Sequence, residues 1–171
     1  PGWKKSTAYL KGQILYRAAE MLESRSDSVV EEIMASTGRT KAAATREVEA
    51  SIDRLVYFAG WTDKYGQVFS SVNPVASSHF NFSTPEPTGV VGIFAPDSPS
   101  LLGLTSLIAQ VVLSGNTAVV VASETEPLSS ISLAEVFATS DLPGGVVNIL
   151  TGQRDELSSW LASHMDVNAI I

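Results

Sequence analysis

The stretch Gly89-Val-Val-Gly-Ile-Phe-Ala-Pro-Asp-Ser-Pro-Ser-Leu-Leu102 decides how this chain is read. Val90 to Ala95 is a short apolar run, rich in Val and Ile, of the kind that forms a strand covered on both faces. Asp97, Ser98 and two prolines follow at once, and then the start of a helix. Ser98 offers an N-cap and Pro99 a first helical position, which predicts a helix running to a stop at Gly115.

Two more segments repeat the pattern. Ala118 to Ala122 and Val146 to Leu150 are again short and apolar, and each precedes a helix-length segment, one opened by Pro127 and the other running from Arg154 to about Met165. A last short strand is expected at Ala169. Repeated strand-helix units of this length imply a parallel sheet with right-handed crossovers, a doubly wound layer. Such sheets bind ligands at the carboxyl ends of their strands, so the turns after Ala95, Ala122 and Thr151 are where chemistry would sit.

Upstream the period is helical. Leu10, Ile14, Ala18, Met21 and Leu22 fall on one stripe; Val29, Val30, Ile33 and Met34 form a second, opening near Ser26 and closing at Gly38; Ala44, Val48, Ile52, Leu55, Val56 and Ala59 form a third. From Gln67 to Thr88 that period disappears and Pro74, Pro85 and Pro87 appear, while His79-Phe-Asn-Phe-Ser83 alternates as a half-exposed strand does. The expected organisation is an α/β fold in three parts: a helical layer over 1–66, a small β-hairpin excursion over 67–88, and Rossmann-like, incomplete strand-helix units over 89–171.

With 171 residues, 44% of them hydrophobic, the chain can bury a core. A formal net charge of -7 and the lack of any Lys or Arg cluster exclude an electrostatic footprint for nucleic acid or an anionic membrane. There is no cysteine, hence no disulfide, thiolate metal site or thiol nucleophile within these residues. A cytoplasmic protein is the default. The chain begins Pro1-Gly2-Trp3 and stops at Asn168-Ala-Ile-Ile171 inside an apolar strand, so a piece of a longer protein is expected.

Local motifs for chemistry are sparse. The fingerprint G-x-G-x-x-G is absent, and Gly89 and Gly92 read as strand entry and close packing. Ser123 and Glu124 follow the second core strand, where a carboxylate can accept hydrogen bonds from ribose hydroxyls. His79 and His164 stand far apart, which gives neither a metal cluster nor a Ser/His/Asp constellation. The Lys and Glu mixture of the early helices reads as solvated faces.

The order of several motifs resembles the amino-terminal part of the aldehyde dehydrogenase superfamily over essentially the whole chain. They are Glu47-Val48; Tyr57-Phe-Ala-Gly-Trp-Thr-Asp-Lys-Tyr-Gly66; Pro87-Thr-Gly-Val-Val-Gly-Ile-Phe-Ala-Pro96; Ser114-Gly-Asn-Thr-Ala-Val-Val-Val121; Ser123-Glu124 with Pro127-Leu128; Leu142-Pro-Gly-Gly-Val-Val-Asn-Ile-Leu-Thr-Gly152; and Ser163-His-Met-Asp-Val167. The resemblance implies NAD or NADP as cofactor, with Phe94, Ser123, Glu124 and Gly152 as cofactor-binding positions. It also implies oxidation of an aldehyde to an acid by a Cys nucleophile and a Glu base, both in family segments downstream of Ile171, so no catalytic residue is assigned within the chain.

Three departures stand out against that family. Its turn after the first core strand usually reads Pro-Trp-Asn, the Asn serving the oxyanion, whereas here Pro96 precedes Asp97 and Ser98, and a carboxylate repels a developing oxyanion. A cofactor-binding Lys is replaced by Val121. Glycines that admit the dinucleotide are replaced by Arg154 and Ser158. The pattern is similar to the degenerate second module of the branch that carries two such modules in one chain, which implies a non-catalytic, assembly-related role. The excursion over 67–88 matches the family's oligomerisation element and implies a homo-oligomer or a companion catalytic module as partner.

Overall fold

In the computed structural model, residues 2–171 are described. A short helix, α1 (Gly2–Lys5), leads into α2 (Ala8–Ser24), α3 (Ser26–Thr37) and α4 (Lys41–Ala59). Their boundaries follow from local chemistry. The hydroxyls of Thr7 and Thr40 accept from the amides of Leu10 and Ala43 and so cap α2 and α4, while Gly38, with φ of +69°, ends α3 in the left-handed region.

The apolar stripes are largely those expected, but Leu10 and Val56 stay exposed. On α2 the buried face runs through Lys11, Ile14, Leu15, Ala18 and Leu22, so a lysine occupies the place that the pattern gave to Leu10. Lys11 is 7% exposed; its ammonium packs against Gly115 and lies 6.0 Å from the centre of the Trp3 ring, within cation-π range. Burial lowers its pKa from the ordinary 10.5. A lysine whose folded pKa is depressed penalises the fold while both states are protonated, and the penalty fades as pH rises through the folded value toward 10.5. Lys11→Met is therefore expected to raise the melting temperature at neutral pH, and to flatten the rise in stability that the wild type shows over that alkaline window; thermal melts across pH measure both.

A one-turn helix, α5 (Tyr65–Phe69), extends helical structure past Gln67, where the sequence pattern suggested it would stop. Strands β1 (Ser71–Asn73) and β2 (Asn81–Ser83) then pair antiparallel. Neither is packed against the core: β2 is exposed at all three positions, and Phe80 and Phe82 stack on each other at 5.5 Å. His79 lies in the loop before β2, not in the strand, hydrogen-bonded through Nδ1 to Ser77.

The remainder alternates: β3 (Val90–Phe94), α6 (Ser100–Leu113), β4 (Thr117–Val121), α7 (Pro127–Ala138), β5 (Val147–Leu150), α8 (Arg154–Ser163) and β6 (Ala169–Ile170). The four strands form one parallel sheet in the order β5-β4-β3-β6. That order reverses direction between β3 and β6, the switch point of a doubly wound sheet. Helices α6 and α7 cover one face, and α2, α3 and α4 pack behind them as a further layer. The core lies between, from Leu15, Leu22 and Leu55 to Leu104, Ile108 and Ile93.

The opposite face departs from the expectation that all three central strands are covered on both sides. Only α8 lies there. It buries none of its own residues, Leu150 on β5 is 49% exposed and Trp160 on α8 is 73% exposed. Between α8 and the sheet runs an apolar cleft of about 400 Å³, lined by Val90, Val119, Val121, Leu150, Leu157 and Trp160 among others.

Candidate functional site

Chemistry in this fold belongs at the carboxyl ends of the strands, and two polar networks meet there. The first lies on the covered side, at the start of α6. Ser98 is not the N-cap of that helix and Pro99 is not its first residue, as the sequence suggested: α6 begins at Ser100, and Pro99 stands at the N-cap position with no side-chain bond. The cap comes from α4. Glu47 Oε1 accepts from the amides of Leu101 and Leu102 at 2.9 and 3.3 Å. Its other oxygen takes Arg39 Nη1 at 2.5 Å, and Arg39 Nη2 bonds Glu126 at 2.8 Å. Glu126 in turn accepts from the hydroxyl of Ser100 at 2.6 Å, and that hydroxyl lies 3.0 Å from the one of Ser129.

Glu47, with a side chain only 4% exposed, is thus a buried carboxylate and not part of a solvated face. The reason it can be buried is that each of its oxygens has a charged or helix-terminal donor. Glu47-Val48 stands among the family motifs, but the helical pattern alone did not show its burial, because Leu101 reaches it from a distant segment.

The second network lies on the strand ends themselves. Phe94 closes β3, half-buried, and by strand alternation stands on the α8 face with Val90 and Gly92. Beyond it, the carboxylate of Asp97 accepts from the hydroxyl of Ser123 at 2.8 Å, joining the turn after β3 to the turn after β4. The same hydroxyl also accepts from the amide of Glu126 at 3.0 Å. From the end of β5, Arg154 crosses both turns: Nη2 donates to the carbonyl of Ala95 at 2.6 Å and lies 3.6 Å from Asp97. Its Nε is shielded from solvent and has no partner. Glu124 accepts from the backbone amide of Arg154 and thereby places a carboxylate at the start of α8, whose first turn already carries Asp155 and Glu156.

Of the positions expected to hold a cofactor, then, Ser123 and Glu124 come together with Asp97 and Arg154, while Phe94 and Gly152 stand at the margins. Gly152 is exposed and faces α8: a Cβ built on it would come within 2.7 Å of Leu157 Cδ1. The starts of α6 and α8 do not fit the pyrophosphate of a dinucleotide. A pyrophosphate needs helix amides and positive potential, but the start of α8 is ringed by Glu124, Asp155 and Glu156, and the amides at the start of α6 are taken by Glu47. Arg154 is the nearby cation, and it lies folded onto the end of β3. Among the described residues no group of three or more His, Cys, Asp or Glu could hold a metal ion, and no helix is long and apolar enough to cross a membrane.

The fold has known counterparts. The chain superposes on the NAD+ complex of an aldehyde dehydrogenase from Bacillus cereus with a TM-score of 0.90 and 25% identity, covering 99% of this chain and 34% of that one. HpcC from Thermus thermophilus gives 0.90 at 26% identity, over 98% of this chain and 32% of that one. In sequence, omega-crystallin of Enteroctopus dofleini is 30% identical over 169 residues, 98% of this chain and 33% of that protein. Cytosolic 10-formyltetrahydrofolate dehydrogenase of Mus musculus is 33% identical over 171 residues, 98% of this chain and 19% of that protein. The chain thus spans a third or less of these two relatives in sequence. The profile of the aldehyde dehydrogenase family matches residues 1–171, and the chain belongs to that family, as part of its Rossmann-like cofactor domain.

Proposed function

We propose that this chain is the amino-terminal, cofactor-domain part of an aldehyde dehydrogenase family module that is kept for its fold and for assembly rather than for turnover. The observation that carries the reading is the turn after β3, where a donor to a reacting oxygen is expected. It holds instead the carboxylate of Asp97, pinned by Ser123 and flanked by Arg154. A fixed negative charge at that place opposes the charge that develops when an aldehyde is attacked, and so raises the barrier the family's reaction has to lower. NAD or NADP is the family's cofactor, and the closed strand ends argue that this module binds neither well. The narrower resemblance to the second, degenerate module of a two-module protein fits the same picture.

The partner in this reading is a second copy or a companion catalytic module. Val72, Phe80 and Phe82 of the hairpin are exposed and apolar, which supports burial of that element against another chain. A cytosolic location follows the name of the 10-formyltetrahydrofolate relatives.

A second reading has its own support in Glu124, a carboxylate placed just beyond the end of β4. The chain would then belong to an active NAD(P)-dependent enzyme whose nucleophile and base lie beyond Ile171. Calorimetry with NAD+ and NADP+ on the full-length module, expressed without any companion catalytic module, separates the two. No heat at millimolar cofactor is expected; binding near micromolar, abolished by Glu124→Ala, would overturn the non-catalytic reading.

A further inference from the structure

Three loops leave the carboxyl ends of β3, β4 and β5, and in a dinucleotide-binding sheet these are the segments that a bound ligand bridges. Here they are bridged by the chain itself. Arg154, from the third loop, donates to Ala95 at the end of the first strand and stands beside Asp97; Asp97 accepts from Ser123 in the second loop; Glu124, also in the second, accepts from the amide of Arg154 in the third. The ring is closed, and every loop is held to both others.

We infer that Arg154, Asp97, Ser123 and Glu124 form an internal clasp that takes the nucleotide's place across the strand ends, and that Arg154 is the residue that holds it shut. The inference rests on the reading of this edge as a nucleotide face that has been closed, and it names the cause of the closure. The guanidinium offsets the charge of Asp97 in the turn after β3, while the backbone amide of the same residue takes Glu124, so one residue holds both carboxylates beside the acidic first turn of α8. The guanidinium also reaches the end of β3 itself, the strand flanking the switch point where a ligand would enter. Exclusion by the guanidinium is therefore steric, while the electrostatic exclusion of an anionic ligand comes from the carboxylates around it.

The clasp is tested by cofactor binding to the full-length module, free of any companion catalytic module, and to two variants of it, Arg154→Gly and Arg154→Ala with Asp97→Asn. Thermal melting first identifies which variant folds cooperatively, and the second variant serves if glycine at the start of α8 weakens that helix. In the wild type, millimolar NAD+ or NADP+ is expected to leave the melting temperature unchanged. A folded variant is expected to melt several degrees lower without cofactor and to regain stability as NAD+ or NADP+ is added, with affinity at least about tenfold above the wild type. A folded variant that gains no affinity overturns the clasp and leaves the reading of a closed, non-catalytic module standing, the block then lying elsewhere, for instance at Val121. Tight binding by the wild type overturns both.

Discussion

Replacing Glu47 with alanine is expected to lower the melting temperature of the protein by roughly 10 °C, from a loss of about 3 kcal/mol or more on removing one member of a buried pair and a shift of roughly 2–4 °C per kcal/mol for a domain of this size. The loss follows from what the carboxylate does. It satisfies two amides at the start of α6 and neutralises one arm of Arg39, and both partners are left without it in a region where the Glu47 side chain itself is 4% exposed. Glu126, still bonded to Arg39 and Ser100, recovers part of the charge balance, so the loss stays at the low end of that range. Glu47→Gln keeps an oxygen for the helix amides but loses the ion pair, and is expected to lose about half as much. Thermal and urea denaturation of the two variants measure the difference.

Leu104→Ala is the second large effect. Leu104 is fully buried on α6, the helix that packs on α4 behind it and on β3 and β4 in front, so the space left by its side chain lies between two layers that cannot both collapse into it. Truncations of this kind destabilise by about 2–5 kcal/mol. A loss of about 3 kcal/mol, read as a fall in the urea midpoint with an unchanged slope, is the expected result. Leu150→Ala, on the open face of β5, is the contrasting control, since its side chain is already 49% exposed and little apolar area changes environment.

The same contrast explains how much of the molecule was legible in its sequence. The parallel sheet was legible because its strands are short apolar runs separated by helix-length segments, and because glycines and prolines punctuate them: Gly38, Pro127 and Gly115 stand where helices end or begin. The helical stripes were legible by period, with the exceptions of Leu10 and Val56. What was not legible depended on partners far along the chain. Glu47 looks like any helix glutamate until Leu101 is brought to it from 54 positions away, and Lys11 looks solvated until α1 and the Gly115 turn close over it. Coverage of a sheet face is likewise a property of neighbours, so the runs in β4 and β5 could not report that α8 alone lies over them.

At the candidate site the family resemblance noted Asp97, Ser123, Glu124 and Arg154 as matches or departures, and the structure brings these four together. Their mutual bonding was not visible. Arg154 reads as bulk in place of a glycine, a simple obstruction, whereas the structure gives it a specific acceptor 59 residues away. A substitution that reads in sequence only as crowding of a pocket is one end of a network that includes Asp97, a second departure.

The most direct test is a crystal structure of the full-length protein grown in millimolar NAD+. The predicted result is Arg154 bonded to the carbonyl of Ala95, Asp97 bonded to Ser123, and no dinucleotide across the ends of β3, β4 and β5. A dinucleotide bound there, with its ribose on Glu124 and Arg154 swung away from the strand ends, would contradict the closed, non-catalytic reading.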